Sequence, residues 1–331
     1  MFNYKAIITT AVMLGATVSF SHAEAAKTVR INQAFQSLLY LPLYVARDKG
    51  FFEEAGVDVK ITTGGGAAQS WSAVLGGSAD FSIHDPVFIP ISKAKGGPGV
   101  VVAAIQDAPA VWVVGKDSTD LQDNVALFKD KIVTTMPEPD STWAFFSYLM
   151  QSNNFDKDYA KINQVGVGNE MAPLLAGRSD YALGTEPQIS QVETEGMSVV
   201  YSFSADPDWY PFAFSALLST EAYVKDHADE TQRVVNALQR ASEYIYTNTD
   251  DAVKVAQDAF PDLDKAVVEK AVQRELAAKA YPKEVTVSEK SWENAMRIAD
   301  FVGIIDKDAD TSSYAGNVNT EFAKNAVGQA D

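Results

Sequence analysis

Two carboxylates in this chain are each followed by proline soon after a short apolar run: Asp85 in Phe81-Ser82-Ile83-His84-Asp85-Pro86, and Glu186 in Tyr181-Ala182-Leu183-Gly184-Thr185-Glu186-Pro187. A strand-like run stopped by proline places each acid at the mouth of a strand. A third carboxylate, Asp140, precedes Ser141, Thr142 and Trp143, which reads as a helix cap followed by an aromatic. Phe35 and Gln36 after the first strand, Gly65, Gly66 and Ala67 at a strand-to-helix turn, His84, Gln106, and Trp209 with Tyr210 complete the residues placed near a solute. This set is aromatic and acidic, with no Lys or Arg. It can stack on a flat ring and accept hydrogen bonds from amino groups, so an amine-bearing heterocycle or a small cation suits it. An inorganic anion would have to rest on helix N-termini alone.

Other chemistries find less support. The chain has three histidines, His22, His84 and His227, and no cysteine, so no metal-ligand spacing can be assembled from them and no metal or other cofactor is expected. Gly64-Gly65-Gly66 lacks the Lys-Ser/Thr ending of a phosphate loop, and Gln69 stands where a dinucleotide fingerprint needs its third small residue. No Gly-x-Ser-x-Gly elbow occurs, although a Ser-His-Asp arrangement assembled from distant positions stays open. Asp85 and Glu186 could form a carboxylate pair for glycoside cleavage, and facing walls of a closing cleft account for them equally. A secreted two-lobed enzyme is therefore the alternative from another class.

The elements that must position these residues follow from pattern. Val57, Val59 and Ile61 alternate as a half-buried strand, the glycines interrupt, and Trp71, Val74 and Leu75 recur at helical spacing before Gly76-Gly77 stops the helix. With 81–83 as the next strand, 59–86 forms a βαβ crossover whose two turns open on one sheet edge. Gly177-Arg178-Ser179-Asp180-Tyr181 repeats the theme of Gly77-Ser78-Ala79-Asp80-Phe81, which implies two similar lobes, and Thr185-Glu186-Pro187 is matched to His84-Asp85-Pro86. The polar stretch 116–123 is taken as the first crossing between lobes and 204–212 as the return. The expected division is 27–115 with 213–331 as lobe 1, carrying C-terminal helices, and 116–212 as lobe 2. Periodicity is weak beyond Asp306, where an irregular or frayed tail is expected.

At 331 residues and 47% hydrophobic content the chain can bury a large core. Its 27 Lys+Arg against 44 Asp+Glu exclude a phosphate-tracking surface, so nucleic acid is not expected as a partner. Lys5, an uncharged apolar run to Phe20 and Ser21-His22-Ala23 read as a secretory signal peptide over 1–23, with no cysteine to accept a lipid. A periplasmic, monomeric protein that is not a lipoprotein is expected.

Val29 in the first strand, Leu41-Pro42-Leu43-Tyr44-Val45-Ala46-Arg47-Asp48-Lys49-Gly50-Phe51-Phe52-Glu53-Glu54-Ala55-Gly56-Val57-Asp58-Val59, the glycine turn, Leu75-Gly76-Gly77-Ser78-Ala79-Asp80-Phe81, and Leu175-Ala176-Gly177-Arg178-Ser179-Asp180-Tyr181 with Glu186-Pro187 together are similar to solute-binding proteins of bacterial ABC importers for sulfonates, nitrate and thiamine-pyrimidine precursors. This resemblance spans nearly the whole mature chain. It implies an α/β architecture, the type II periplasmic binding protein fold: two αβ lobes joined by a two-strand hinge, with ligand in the interlobe cleft. It implies a non-enzymatic receptor for a small-molecule solute whose closed form a membrane permease reads; a sensor kinase is another possible reader. Sulfonate relatives commonly carry Trp-Asp-Pro at the second-lobe turn; Thr185-Glu186-Pro187 here is more like the pyrimidine-precursor side. Alkanesulfonate, taurine or nitrate remain the alternative ligands. Eukaryotic relatives make the thiamine pyrimidine with iron and a cysteine-rich segment, and a chain without cysteine does not carry that activity over.

Overall fold

The computed structural model describes residues 27–156 and 158–327; the signal-peptide expectation over 1–23 lies outside them. Among the described residues, ten strands form two mixed five-stranded sheets, in the orders β2-β1-β3-β10-β4 and β7-β6-β8-β5-β9. The first holds β1 (Lys27–Gln33), β2 (Val57–Thr63), β3 (Phe81–His84), β4 (Val100–Gln106) and β10 (Ser215–Ser219). The second holds β5 (Trp112–Gly115), β6 (Ile132–Thr135), β7 (Lys161–Gln164), β8 (Tyr181–Gly184) and β9 (Ser198–Ser202). In the first, β1 runs parallel to β2 and β3 while β10 enters antiparallel between β3 and β4; in the second, β5 enters antiparallel between β8 and β9. The two sheets are thus built to one plan with one strand exchanged. The chain finishes β4, crosses, and lends β5 to the second sheet; after β9 it crosses back and lends β10 to the first.

This exchange corrects one boundary. Because β5 pairs with β8 and β9, the first crossing is 107–111, before β5, and not 116–123 after it. Residues 112–115 accordingly belong with the second sheet. The signal was the apolar run 111–114, which looks the same whether its strand lies in one sheet or the other. The return crossing, 203–214, overlaps the expected 204–212.

The repeated turn explains why both sheets adopt this plan. Gly77 and Gly177 take left-handed backbones, φ 70° and 66°, at the helix ends before β3 and β8. Asp80 then accepts the Arg30 N–H through Oδ2 at 2.7 Å and returns its own N–H to Arg30 O at 2.8 Å. Asp180 does the same with Ile132, at 2.8 and 2.9 Å. Each Asp therefore sews the start of one parallel strand to its neighbour.

Of the helices after β10, Ala228–Thr247 and Thr249–Ala259 pack against helix Leu41–Asp48 of the first lobe, Lys265–Ala277 packs against Thr249–Ala259 and also against helix Gln188–Glu193 of the second, and Glu289–Phe301 packs against second-lobe helix Ser141–Ser152. Up to Val327 the tail is not frayed as its weak periodicity implied. Helix Glu321–Val327 packs on helix Ala228–Thr247, Trp292 Nε1–H donates to Ser312 O at 3.0 Å, and Asn319 N–H donates to Val101 O at 2.9 Å. Long-range bonds of this kind leave no local period to read. No helix among the described residues is long and apolar enough to cross a membrane.

Candidate functional site

The two sheets leave a cleft between β3 and β10 on one side and the start of helix Ser141–Ser152 on the other. It is lined by Ala34, Phe35, Leu39, Tyr40, Ala67, His84, Asp85, Met136, Asp140, Ser141, Thr142, Thr185, Phe214 and Ser215. The enclosed space is about 20 Å³, room for about one water, so the lobes stand closed and must part to admit a larger solute.

Two carboxylates from opposite lobes face this space. Asp85 follows β3, and its Oδ2 accepts the N–H of Ser141 at 3.1 Å. It therefore caps the first turn of a helix in the other lobe. Asp140 occupies that helix's own N-cap position with extended backbone, φ −63° and ψ 152°, yet its side chain makes no capping bond. The carboxylate that sequence pattern assigns to capping is left to the cleft. Burial pushes the Asp85 carboxyl up to about 6. Burial, then repulsion from Asp85 and Glu170, pushes Asp140 up to about 8. Near neutral pH the pair accordingly retains a proton, as close acids in a poorly hydrated site must.

The rest of the lining is aromatic and neutral. Phe35 and Tyr40 lie 5.7 Å apart by ring centroid. His84 is fully buried between Trp71 and Phe88, at 6.2 and 5.2 Å. Its Nδ1 lies 3.0 Å from Asp85 O, which only accepts, so Nδ1 carries the proton and Nε2 accepts from Ser82 Oγ at 3.0 Å. Burial lowers His84 to about 4, and it is neutral. No Lys or Arg lines the cleft among the described residues.

Seven of the residues singled out from sequence meet here: Phe35, Ala67, His84, Asp85, Asp140, Ser141 and Thr142. The others do not, each for a physical reason. The N–H groups of Gly65 and Gly66 donate to Ala34 O at 2.9 and 2.8 Å, so the glycine run turns the chain and does not cradle a ligand. Gln36 reaches outward to Ala259 O at 2.6 Å. Gln106 is buried against Glu275 Oε2 at 3.1 Å. Trp143 is half-buried on the second-lobe core. Trp209 is buried against Phe145 and Phe203, at 4.8 and 5.0 Å, within the return crossing. Tyr210 is exposed on another face, beside Lys279.

Glu186 is the most instructive departure. It is fully buried, its carboxylate is paired with Arg274, and Ser190 donates to it through N–H at 3.0 Å and Oγ at 2.8 Å. The sheet register shows why. β10 sets Ala216 against His84, and β5 sets Trp112 against Gly184, so the lobes correspond at an offset of one hundred residues. Asp85 then matches Thr185, which lines the cleft, and Glu186 falls one residue past it. Aligning the two prolines slipped the repeat by one. Tyr40, Phe214 and Ser215 were missed because nothing local marks them; Thr185 was within reach had the aspartates been aligned instead.

The profile of the family described as NMT1/THI5 like matches residues 39–252, and the chain belongs to that family. With its two lobes and interlobe cleft, it has the periplasmic binding protein fold. It is 24% identical over 324 residues, 96% of this chain and 95% of the relative, to the putative binding protein YtlA of Bacillus subtilis. The formylaminopyrimidine-binding protein of Halalkalibacterium halodurans is 23% identical over 246 residues, 72% of each chain. A Saccharomyces cerevisiae 4-amino-5-hydroxymethyl-2-methylpyrimidine phosphate synthase is 21% identical over 252 residues, 71% of this chain and 72% of the relative. Among solved structures, the alkanesulfonate-binding protein SsuA of Xanthomonas axonopodis pv. citri, bound to MOPS, matches with a TM-score of 0.70 and 16% identity, covering 88% of this chain and 98% of that one.

Proposed function

We propose that this chain is the solute receptor of an ABC importer and that its solute is a small, flat heterocycle bearing an amino group. The facing carboxylates Asp85 and Asp140 carry this reading, since together with Phe35, Tyr40 and Phe214 they offer acceptors and ring faces and no cation. An exocyclic amine with an adjacent ring nitrogen can donate to one carboxylate and share the pair's proton with the other. The named ligand of the formylaminopyrimidine-binding relative and the aminopyrimidine product of the synthase relatives are of this chemistry. A sulfonate or nitrate would face two acids. The lobes part, admit the ring, and close on it because the closed form binds it better. Residues 1–23 would direct export to the periplasm, and a membrane permease would read the closed form.

The receptor reading is preferred over an enzymatic one because both ring nitrogens of His84, the histidine in the cleft, are engaged by protein groups. A thermal-shift panel of aminopyrimidines, uncharged pyrimidines lacking the amine, taurine and nitrate tests the assignment. A true solute at about 100 times its Kd adds roughly 2.7 kcal/mol. Stabilisation by taurine or nitrate with none from any aminopyrimidine would overturn the ligand class. Chemical conversion of the aminopyrimidine during incubation would overturn the receptor reading.

A further inference from the structure

We propose that Arg274 is the latch that holds the two lobes closed, and that its release of Glu186 and Glu193 gates opening of the cleft. Arg274 sits on helix Lys265–Ala277, which packs against helix Thr249–Ala259 and so moves with the first lobe. All of its partners belong to the second lobe. Nη1 bonds the Glu186 carboxylate and Ser190 Oγ, the latter at 3.0 Å; Nη2 bonds Glu193 Oε2 at 2.6 Å. The guanidinium also lies 5.8 Å from the ring of Trp112, in the strand lent to the second sheet. Lys270, one turn earlier on the same helix, adds a 2.8 Å contact to Glu193.

Burial makes this grip conditional on closure. The Glu186 side chain is 0% exposed, and those of Arg274 and Glu193 are 18% exposed each. A buried carboxylate stripped of its cation is strongly disfavoured until water reaches it, so breaking the pair and parting the lobes are one event. The Glu186 backbone is held in the same seam, its carbonyl accepting from Leu38 N–H at 3.1 Å and Ser37 Oγ at 2.7 Å. Glu275 is adjacent to Arg274 in sequence and could have competed for it. Instead it is fully buried and hydrogen-bonded to Gln106, and burial holds its carboxyl well above the ordinary range. The guanidinium is thereby left to the second lobe.

The absence of cysteine permits a direct test that needs no ligand and stands or falls separately from the heterocycle assignment. Leu75→Cys and Leu175→Cys place spin labels at exposed, corresponding helix ends of the two lobes. Distance distributions are then recorded for the empty protein with Arg274, R274K, R274Q and E193Q. R274Q is expected to raise the open population about tenfold or more. E193Q and R274K should fall between, since each keeps part of the grip and lysine lacks the planar fork. If R274Q does not fold, E193Q carries the test. A folded variant that loses stability while its distances match the parent would assign Arg274 a purely structural role and overturn the latch.

Discussion

Asp140→Asn probes the chemistry of the cleft most directly. In the closed structure the Asp140 carboxyl stands at about 8 and that of Asp85 at about 6, both against an ordinary 3.8. An acid that holds its proton more tightly folded than unfolded contributes stability that is complete below the unfolded value and is lost as pH rises through the folded one. The empty protein should therefore lose stability from about pH 4 to about pH 8. His84 runs the other way: lowered from 6.5 to about 4, it makes stability rise with pH across that interval and masks the acids there. The informative window lies above 6.5. Asp107, pushed up by burial to about 7, titrates in the same window, so the wild-type slope alone does not isolate the pair. The difference between wild type and D140N does.

One retained proton is worth about 1.4 kcal/mol per pH unit, or at most about 3 kcal/mol between pH 6.5 and about pH 8.5. Opening of the cleft admits water before that full cost is met, which limits the expected loss to about 1 to 2 kcal/mol. At roughly 2 to 3 °C per kcal/mol this is a melting shift of about 2 to 6 °C. Scanning calorimetry of the empty protein at three pH values in that window reads it. Wild type should fall with pH more steeply than D140N, and D140N should be the more stable of the two at the alkaline end. Parallel curves would mean that Asp140 is hydrated and ordinary, and the shared-proton account of the cleft would fail with it.

Two further substitutions separate architecture from binding. Trp209→Ala removes a buried ring from the cluster with Phe145, Phe203 and Tyr148 and should cost about 3 to 5 kcal/mol in urea denaturation; a cost under about 1 kcal/mol would return Trp209 to the list of solute contacts. Asp80→Ala and Asp180→Ala remove the same backbone bond from the two lobes. Asp80 also holds Arg30 through Nε at 3.1 Å, whereas the Lys131 contact of Asp180 is 3.7 Å and exposed. D80A should therefore cost about 2 to 3 kcal/mol and D180A about 1 kcal/mol. Equal costs would show that the Arg30 pairing contributes nothing.

The lobed α/β plan could be read from the chain because its signals are local: alternation in β2, the glycine stops after helix Ala67–Leu75 and before Asp180, and the repeated aspartate. Two of the three acids also belong to the cleft: Asp85 directly follows a strand and so sits at the sheet edge, and Asp140 holds the N-cap of the helix that faces it. What escaped was set by partners far away in sequence. Glu186 meets Arg274, 88 residues on, and Gln106 meets Glu275, 169 residues on. Trp209, among prolines and aspartates in the return crossing, was placed near the solute, yet that crossing folds its ring onto Phe145. Local polarity describes a backbone's surroundings; it does not say which way one large ring turns.

The allocation of donors across the seam bears on the ligand more strongly than any single residue. Three devices that hold anions in proteins are a guanidinium, a glycine-rich run of amides and the open start of a helix. Here Arg274 is taken by Glu186 and Glu193, the amides of Gly64, Gly65 and Gly66 donate to Gln33 and Ala34 carbonyls, and the first amide of helix Ser141–Ser152 is taken by Asp85. An incoming sulfonate or nitrate would have to displace the chain's own acceptors from these groups while approaching two acids. An amino group meets the opposite situation, acceptors already desolvated and short of protons to bond. On the proposed reading, closing the lobes would raise the discrimination between the two ligand classes, because the cross-lobe contacts of Arg274 and Asp85 use up the remaining donors, the first lobe's glycine amides being already taken by its own carbonyls.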